Sequence, residues 1–239
     1  MNMTNPVEMK KIPEARPARH SLWPAPVTMI MTACLFMIGL TGCVNLTRES
    51  LPRQLYALNI MTPPKPERVV IPGTVLKVRA FQEMPCYFGR EFVYRRSDVR
   101  YETDYYNLFL VSPGDLLAEE TGKWLDQRGP FERTLDTASR VRATHLLEGT
   151  VMLMEGDFRK KGSPRAAMGI SMTLINQTTK PPTIVFQQYY MQSVALSNTA
   201  PDTLVKGWNQ ALQIILTDFD RDLAAAKELA PTDRKTKGP

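Results

Sequence analysis

Apolar and polar positions change rhythm several times along the chain, and each change marks a predicted element. The first is an uncharged apolar run of 14 residues, Val27–Leu40. From 44 to 68 there are four prolines (Pro52, Pro63, Pro64, Pro66) and no sustained period, which predicts a tether, with Leu55-Tyr56-Ala57-Leu58 as a short β-like string within it. Val69-Val70-Ile71 and Val75–Phe81 then set Val and Phe against Lys77 and Arg79, which predicts a strand with one drier face, bent near Pro72-Gly73. After a turn at Met84–Gly89, Glu91–Arg96 and Val99–Asp104 predict a hairpin about Ser97-Asp98.

The period next lengthens to that of a helix. Ser112 can cap it, Pro113 suits its first turn, and Asp115 stands three residues after the cap. Leu116, Leu117, Trp124 and Leu125 form its apolar side, and Gly129-Pro130 ends it. Gly122 inside this helix costs up to about 1 kcal/mol relative to Ala, which predicts close packing there. Phe131–Leu135 predicts a short strand. His145–Phe158, Ala167–Asn176 and Thr183–Leu196 predict three longer ones, whose short links favour antiparallel neighbours. In the middle strand Met168, Ile170, Met172 and Leu174 share one face. A last helix spans about 201–227, with Leu204, Trp208, Leu212, Ile215, Phe219 and Leu223 as one apolar stripe. The tail from Ala230 is polar, basic and ends in proline, which predicts disorder.

The apolar run at the start has a context of its own. Lys10, Lys11, Arg16 and Arg19 precede it, against only Glu8 and Glu14, and Leu40-Thr41-Gly42-Cys43 closes it. A basic flank, a short apolar core and small residues before a cut site predict a secretory signal peptide. Fourteen helical residues span about 21 Å, less than a hydrocarbon core of about 30 Å. Leu-Thr-Gly-Cys resembles a bacterial lipobox. That resemblance implies cleavage between Gly42 and Cys43, a diacylglycerol on the Cys43 thiol and an acyl group on its new amine. Two or more chains anchor a protein stably, at about 0.8 kcal/mol per buried methylene. Met9-Lys10-Lys11 reads as the natural start of such a leader. The expected divisions are signal peptide 1–42, lipidated tether 43–68, one folded domain 69–228 and tail 229–239.

Composition narrows the chemistry. The whole chain has a net charge of +6, and loss of residues 1–42 leaves +4. So mild a charge suits anionic headgroups or an acidic partner rather than nucleic acid. Of three cysteines, Cys34 leaves with the signal and Cys43 takes lipid, so Cys86 has no intrachain disulfide partner and is predicted buried. His145 is the sole histidine after the signal and is predicted to be structural. One His and one unpaired Cys argue against a zinc site. No nucleophile-elbow, Walker A or dinucleotide-binding string is present. Glu119 and Glu120 adjoin on a helix and so diverge by about 100°. Neither a catalytic set nor a cofactor is expected. Arg90, Arg95, Arg96 and Arg100 make the hairpin basic. A solvated strand edge is the plain reading, and partner or headgroup contact the alternative. Tyr101, Tyr105, Tyr106 and Phe109 are predicted as core and rim packing.

Tyr87-Phe88-Gly89-Arg90, Phe92-Val93-Tyr94-Arg95, Tyr101–Tyr106, Pro113, Trp124-Leu125 and Gly129-Pro130-Phe131 follow one another in an order that resembles the ABC-type transport auxiliary lipoprotein family, which includes the PqiC lipoproteins. The resemblance covers Thr74–Leu223 and departs from the family at Asn107-Leu108-Phe109, where many relatives have Trp. It implies an α/β fold: a single domain with a mixed, mostly antiparallel sheet and two main helices, similar to the anticodon-binding-like fold. It further implies a non-catalytic auxiliary lipoprotein on the periplasmic face of the outer membrane. Its partner would be an MCE-domain protein served by an inner-membrane ABC permease and ATPase that move lipids or other hydrophobic molecules. A homo-oligomer is compatible with this. Val44 rather than Asp after the lipidated Cys favours outer-membrane sorting. Two alternatives stand beside it. One is a periplasmic lipid carrier, its cavity lined by Met152, Met154, Met168 and Met172. The other is an accessory lipoprotein of envelope assembly.

Overall fold

A computed structural model describes residues 52–64 and 69–226. The signal peptide, Gly42, Cys43 and the tail 229–239 lie outside the described residues. In chain order the elements are β1 (Gln54–Tyr56), β2 (Ile71–Val78), β3 (Gln82–Glu83), a 3-10 turn (Pro85–Tyr87), β4 (Glu91–Arg95), β5 (Tyr101–Phe109) and α1 (Pro113–Arg128). Then follow β6 (Phe131–Leu135), β7 (His145–Asp157), β8 (Arg165–Asn176), β9 (Thr183–Ala195) and α2 (Pro201–Ala225).

The sheet is organised around β7. One edge of β7 pairs antiparallel with β8 along its whole length, and β9 follows antiparallel on β8. The other edge is shared by three parallel strands in succession: β2 at 145–147, β3 at 150–151 and β4 at 156–157. Two arms therefore diverge from β7. One adds β6 parallel to β2, and the other adds β5 antiparallel to β4 and then β1 parallel to β5. Among the described residues five of the eight pairings are parallel, but the long ladders are antiparallel, so the sheet is mixed. β7 is mostly buried, with α1 packed against it, and Met152 is its one exposed residue.

The helices form where the pattern placed them. Ser112 Oγ accepts from the Asp115 N–H at 3.1 Å and so caps α1, with Pro113 in its first turn. The Gly129 N–H donates to Leu125 O at 2.8 Å and closes its other end. α1 packs on β2, β6 and β7, and α2 packs on β8 and β9. All six residues of the α2 stripe are fully buried. Trp208 anchors it: its Nε1–H reaches Ala167 O at 3.2 Å, and its ring meets Phe92 edge-on at 5.0 Å. Gly207 lets the helix approach, since a Cβ there would stand 2.7 Å from Ala166 Cβ. Arg128 of α1 meets Asp220 of α2 at 3.2 Å.

The structure corrects several expectations. The segment 52–64, predicted as tether, belongs to the domain. β1 pairs with 107–109 of β5, Leu58 and Ile60 are buried, and the Ile60 N–H donates to Glu120 Oε2 at 3.0 Å. Two apolar side chains in alternation and an otherwise unpaired strand edge are reason enough for it to dock. Cys86 is exposed rather than buried, because it sits on the 3-10 turn whose inward residue is Tyr87. Phe109 enters the core, but Tyr101, Tyr105 and Tyr106 are exposed. They lie on the part of β5 before its pairing with β1, where Arg95 stacks over Tyr101 and Arg53 over Tyr105. Gly122 is not closely packed: a Cβ there would meet nothing nearer than Val78 Cγ2 at 3.9 Å.

Candidate docking groove

The β4–β5 hairpin holds the four arginines singled out in the sequence. Arg95 lies 3.7 Å from the buried Glu155 and stacks over Tyr101. Arg96 donates to Glu102 at 2.6 Å with its guanidinium 5.3 Å from the rings of both Tyr94 and Phe158. Arg100 lies 3.7 Å from Glu102, and Arg90 donates to Leu110 O at 3.2 Å at the far end of the hairpin. Arg159 adds pairs to Asp98 and Asp157, both at 2.8 Å. The hairpin thus brings Arg95, Arg96 and Arg100 together among acids and leaves Arg90 apart.

Two buried polar contacts brace this region. Tyr87 Oη donates to Glu155 Oε2 at 2.8 Å. Burial pushes the Glu155 carboxyl above its usual range, against the opposing pull of that bond and of Arg95. Tyr94 Oη donates to Asp104 Oδ2 at 2.6 Å. Burial would raise the Asp104 carboxyl, but bonds from Tyr94, the Asn107 side chain and the N–H groups of Tyr106 and Asn107 outweigh it and hold it low.

His145 is fully buried at the start of β7 with Nδ1 at 2.9 Å from Thr144 Oγ1. Burial holds its imidazole below the ordinary value. Phe131 is its ring neighbour at 5.5 Å, so it is part of the core. Among the described residues no group of three His, Cys, Asp or Glu is placed to hold a metal ion, and no helix is long and apolar enough to cross a membrane. Met154, Met168 and Met172 are buried in the core, while Met152 is exposed at the bulge of β7.

An open concavity lies elsewhere, between α1 and the end of β6. It is an open groove of about 720 Å³. One wall is a single face of α1: Asp115, Ala118, Glu119, Gly122, Lys123 and Asp126, at spacings of three and four. The other wall runs from Thr134 to Ala138, with Val78 beneath and Val111 beside the helix start. Lys77 Nζ donates to Ser139 O at 2.5 Å and holds the loop that continues this second wall. Lys123 bonds to Glu119 at 2.6 Å and Glu120 at 2.8 Å, and those bonds raise its ammonium above the usual range. Asp126 and Asp136 form no ion pair among the described residues, and Thr134 Oγ1 is buried there without a hydrogen-bond partner. The α1 face was not singled out in the sequence, although its acids and small residues at helical spacing are a signal that could have marked it. The wall opposite had no such signal, since nothing local tells which helix face the loop after β6 will approach.

No family model and no curated protein matches the sequence. Among solved structures, protein XCC0632 from Xanthomonas campestris, of the DUF330 family, is similar with a TM-score of 0.61 at 14% identity, over 70% of this chain and 92% of that one. The crystal structure of an uncharacterised protein is similar with a TM-score of 0.55 at 16% identity, over 72% and 99%. The chain therefore has the fold of the DUF330 protein, a single α/β domain with a curled mixed sheet and two helices.

Proposed function

We propose that this protein is a lipid-anchored, non-catalytic docking component of an ABC-type MCE transport system, held at the periplasmic face of the outer membrane through Cys43. The observation that carries the reading is the groove. It is open and is walled by a helix face and a strand end, a form in which an amphipathic segment of a partner can lie. Three further features support it: the Leu40-Thr41-Gly42-Cys43 ending, the order of motifs between Thr74 and Leu223, and a fold that agrees with the one the resemblance implied. In the carrier alternative the methionines would line a cavity, but three of the four are spent on the core. Of the hairpin arginines, Arg90 and Arg100 are the exposed ones and so the two able to meet headgroups or a partner.

The test is photocrosslinking in cells, with the crosslinker at Asp126, Asp136, Arg90 or Arg100 in turn. Capture of an MCE-domain protein is the expected result. Failure to capture one from every position, with the protein present in the envelope fraction, would sink the docking role.

A further inference from the structure

We propose that the groove between α1 and the end of β6 takes a basic amphipathic segment of a partner protein, its apolar side chains laid over Gly122 and its Lys or Arg side chains on the carboxylates of the rim. The inference rests on the docking reading and adds the chemistry of the occupant.

Two independent observations support it. The first is Gly122. A helix-interior glycine is costly relative to alanine, and a fold that keeps one usually needs the space. Gly207 shows what that need looks like: a Cβ there would stand 2.5 Å from Leu196 Cδ2 and 2.7 Å from Ala166 Cβ. At Gly122 the nearest atom would be Val78 Cγ2 at 3.9 Å, so the domain's own packing makes no such demand. The glycine opens a notch beside Ala118, through which an incoming chain can approach the helix backbone.

The second is charge. The lining contains Asp115, Glu119, Asp126 and Asp136 against one cation, Lys123, in a chain whose net charge is +6. The groove thus runs against the sign of the whole. Lys123 is already bonded to Glu119 and Glu120, which leaves Asp126 and Asp136, one on each wall, to meet charge from outside.

An apolar floor under an acidic rim selects among ligands. A fatty acid or an anionic headgroup would meet like charge, and a neutral acyl chain would bury carboxylates without pairing them. A helix with apolar anchors at i, i+3 or i+4 and i+7 and a basic flank satisfies both parts.

The test uses the full chain from residue 43, with Cys43→Ser to keep it in solution. Three fluorescein-labelled 14-residue probes are titrated by anisotropy: an amphipathic Leu/Lys peptide, its Leu/Glu counterpart, and a Lys peptide without an apolar face. The Leu/Lys probe is expected to bind saturably, at least tenfold tighter than either other, and to weaken as salt rises. Gly122→Leu fills the notch with a good helix former, so it should reduce binding at least tenfold while the melting temperature holds or rises. The triple variant Glu119→Gln, Asp126→Asn, Asp136→Asn should reduce it likewise and serves if Gly122→Leu misfolds. Equal binding of the Leu/Glu probe, or binding indifferent to both variants, overturns the proposal. Binding seen only after removal of residues 227–239, which hold Arg234, Lys235 and Lys237, would give the groove to the chain's own end and overturn it too. An MCE partner captured equally by wild type and by Gly122→Leu would leave the docking role intact and remove only the groove from it.

Discussion

His145 and Glu155 are both buried titratable groups, and they bias stability in opposite directions. Burial lowers the His145 imidazole from 6.5, so the unfolded chain takes up a proton that the folded chain refuses as pH falls. The stability it contributes is complete above the ordinary imidazole range and is lost as pH falls through that range towards the lowered folded value. Burial raises the Glu155 carboxyl from 4.5, so its contribution is complete below the ordinary carboxylate range and is lost as pH rises through the raised folded value. Urea midpoints at pH 7.5, 6.5 and 5.5 separate the two. His145→Asn should flatten the decline towards acid, whereas Glu155→Gln should remove the opposing slope and make that decline steeper. Trp208 is the largest single packing term on α2, and Trp208→Ala should cost about 3–5 kcal/mol in the same assay. His145 was legible as structural from its isolation. Glu155 was not singled out, because its partners Tyr87 and Arg95 come from a turn and a strand far back in the chain.

Among the elements, those with a strong period were the legible ones. β8 shows alternation, α1 has its cap and stop, and α2 has its stripe. α1 offers a test in which one helix gives two opposite signs. Ser112→Ala removes the side chain that accepts the Asp115 N–H and should cost about 1 kcal/mol. Gly122→Ala adds a Cβ with room to spare and should stabilise by about 0.5–1 kcal/mol. The segment 52–64 was misjudged because prolines dominate its composition, while the two residues that matter, Leu58 and Ile60, find their burial against elements remote in sequence. Leu58→Ala and Ile60→Ala should each cost about 2–4 kcal/mol, and a chain begun at residue 69 should unfold at lower urea than one begun at 52. Equal midpoints for the two chains would show that β1 and the residues after it add nothing.

For the whole molecule, the docked segment shortens the proposed lipid tether. A tether of 25 residues, 44–68, could span about 80 Å, but from Cys43 to the first described residue, Pro52, nine residues reach at most about 30 Å. The domain would then work close to its membrane, with the partner brought to it. Cys43→Ser should move the protein from the membrane to the soluble periplasmic fraction, as a fractionation blot would show. The sequence alone determined the α/β class, both helices and the three long strands, and it is the sole basis for the proposed leader and lipid site at Cys43. Each of these depends on residues within a few positions of one another, where the periods of two and 3.6 are set. Only the tertiary structure decided that 52–64 belongs to the domain, that the hairpin arginines are tied to acids, that Cys86 and the β5 tyrosines face solvent, and that α1 and the end of β6 enclose a groove. Those facts depend on chain segments separated by tens of residues. Their meeting is governed by which edges and faces the rest of the fold leaves open, and no local pattern encodes that.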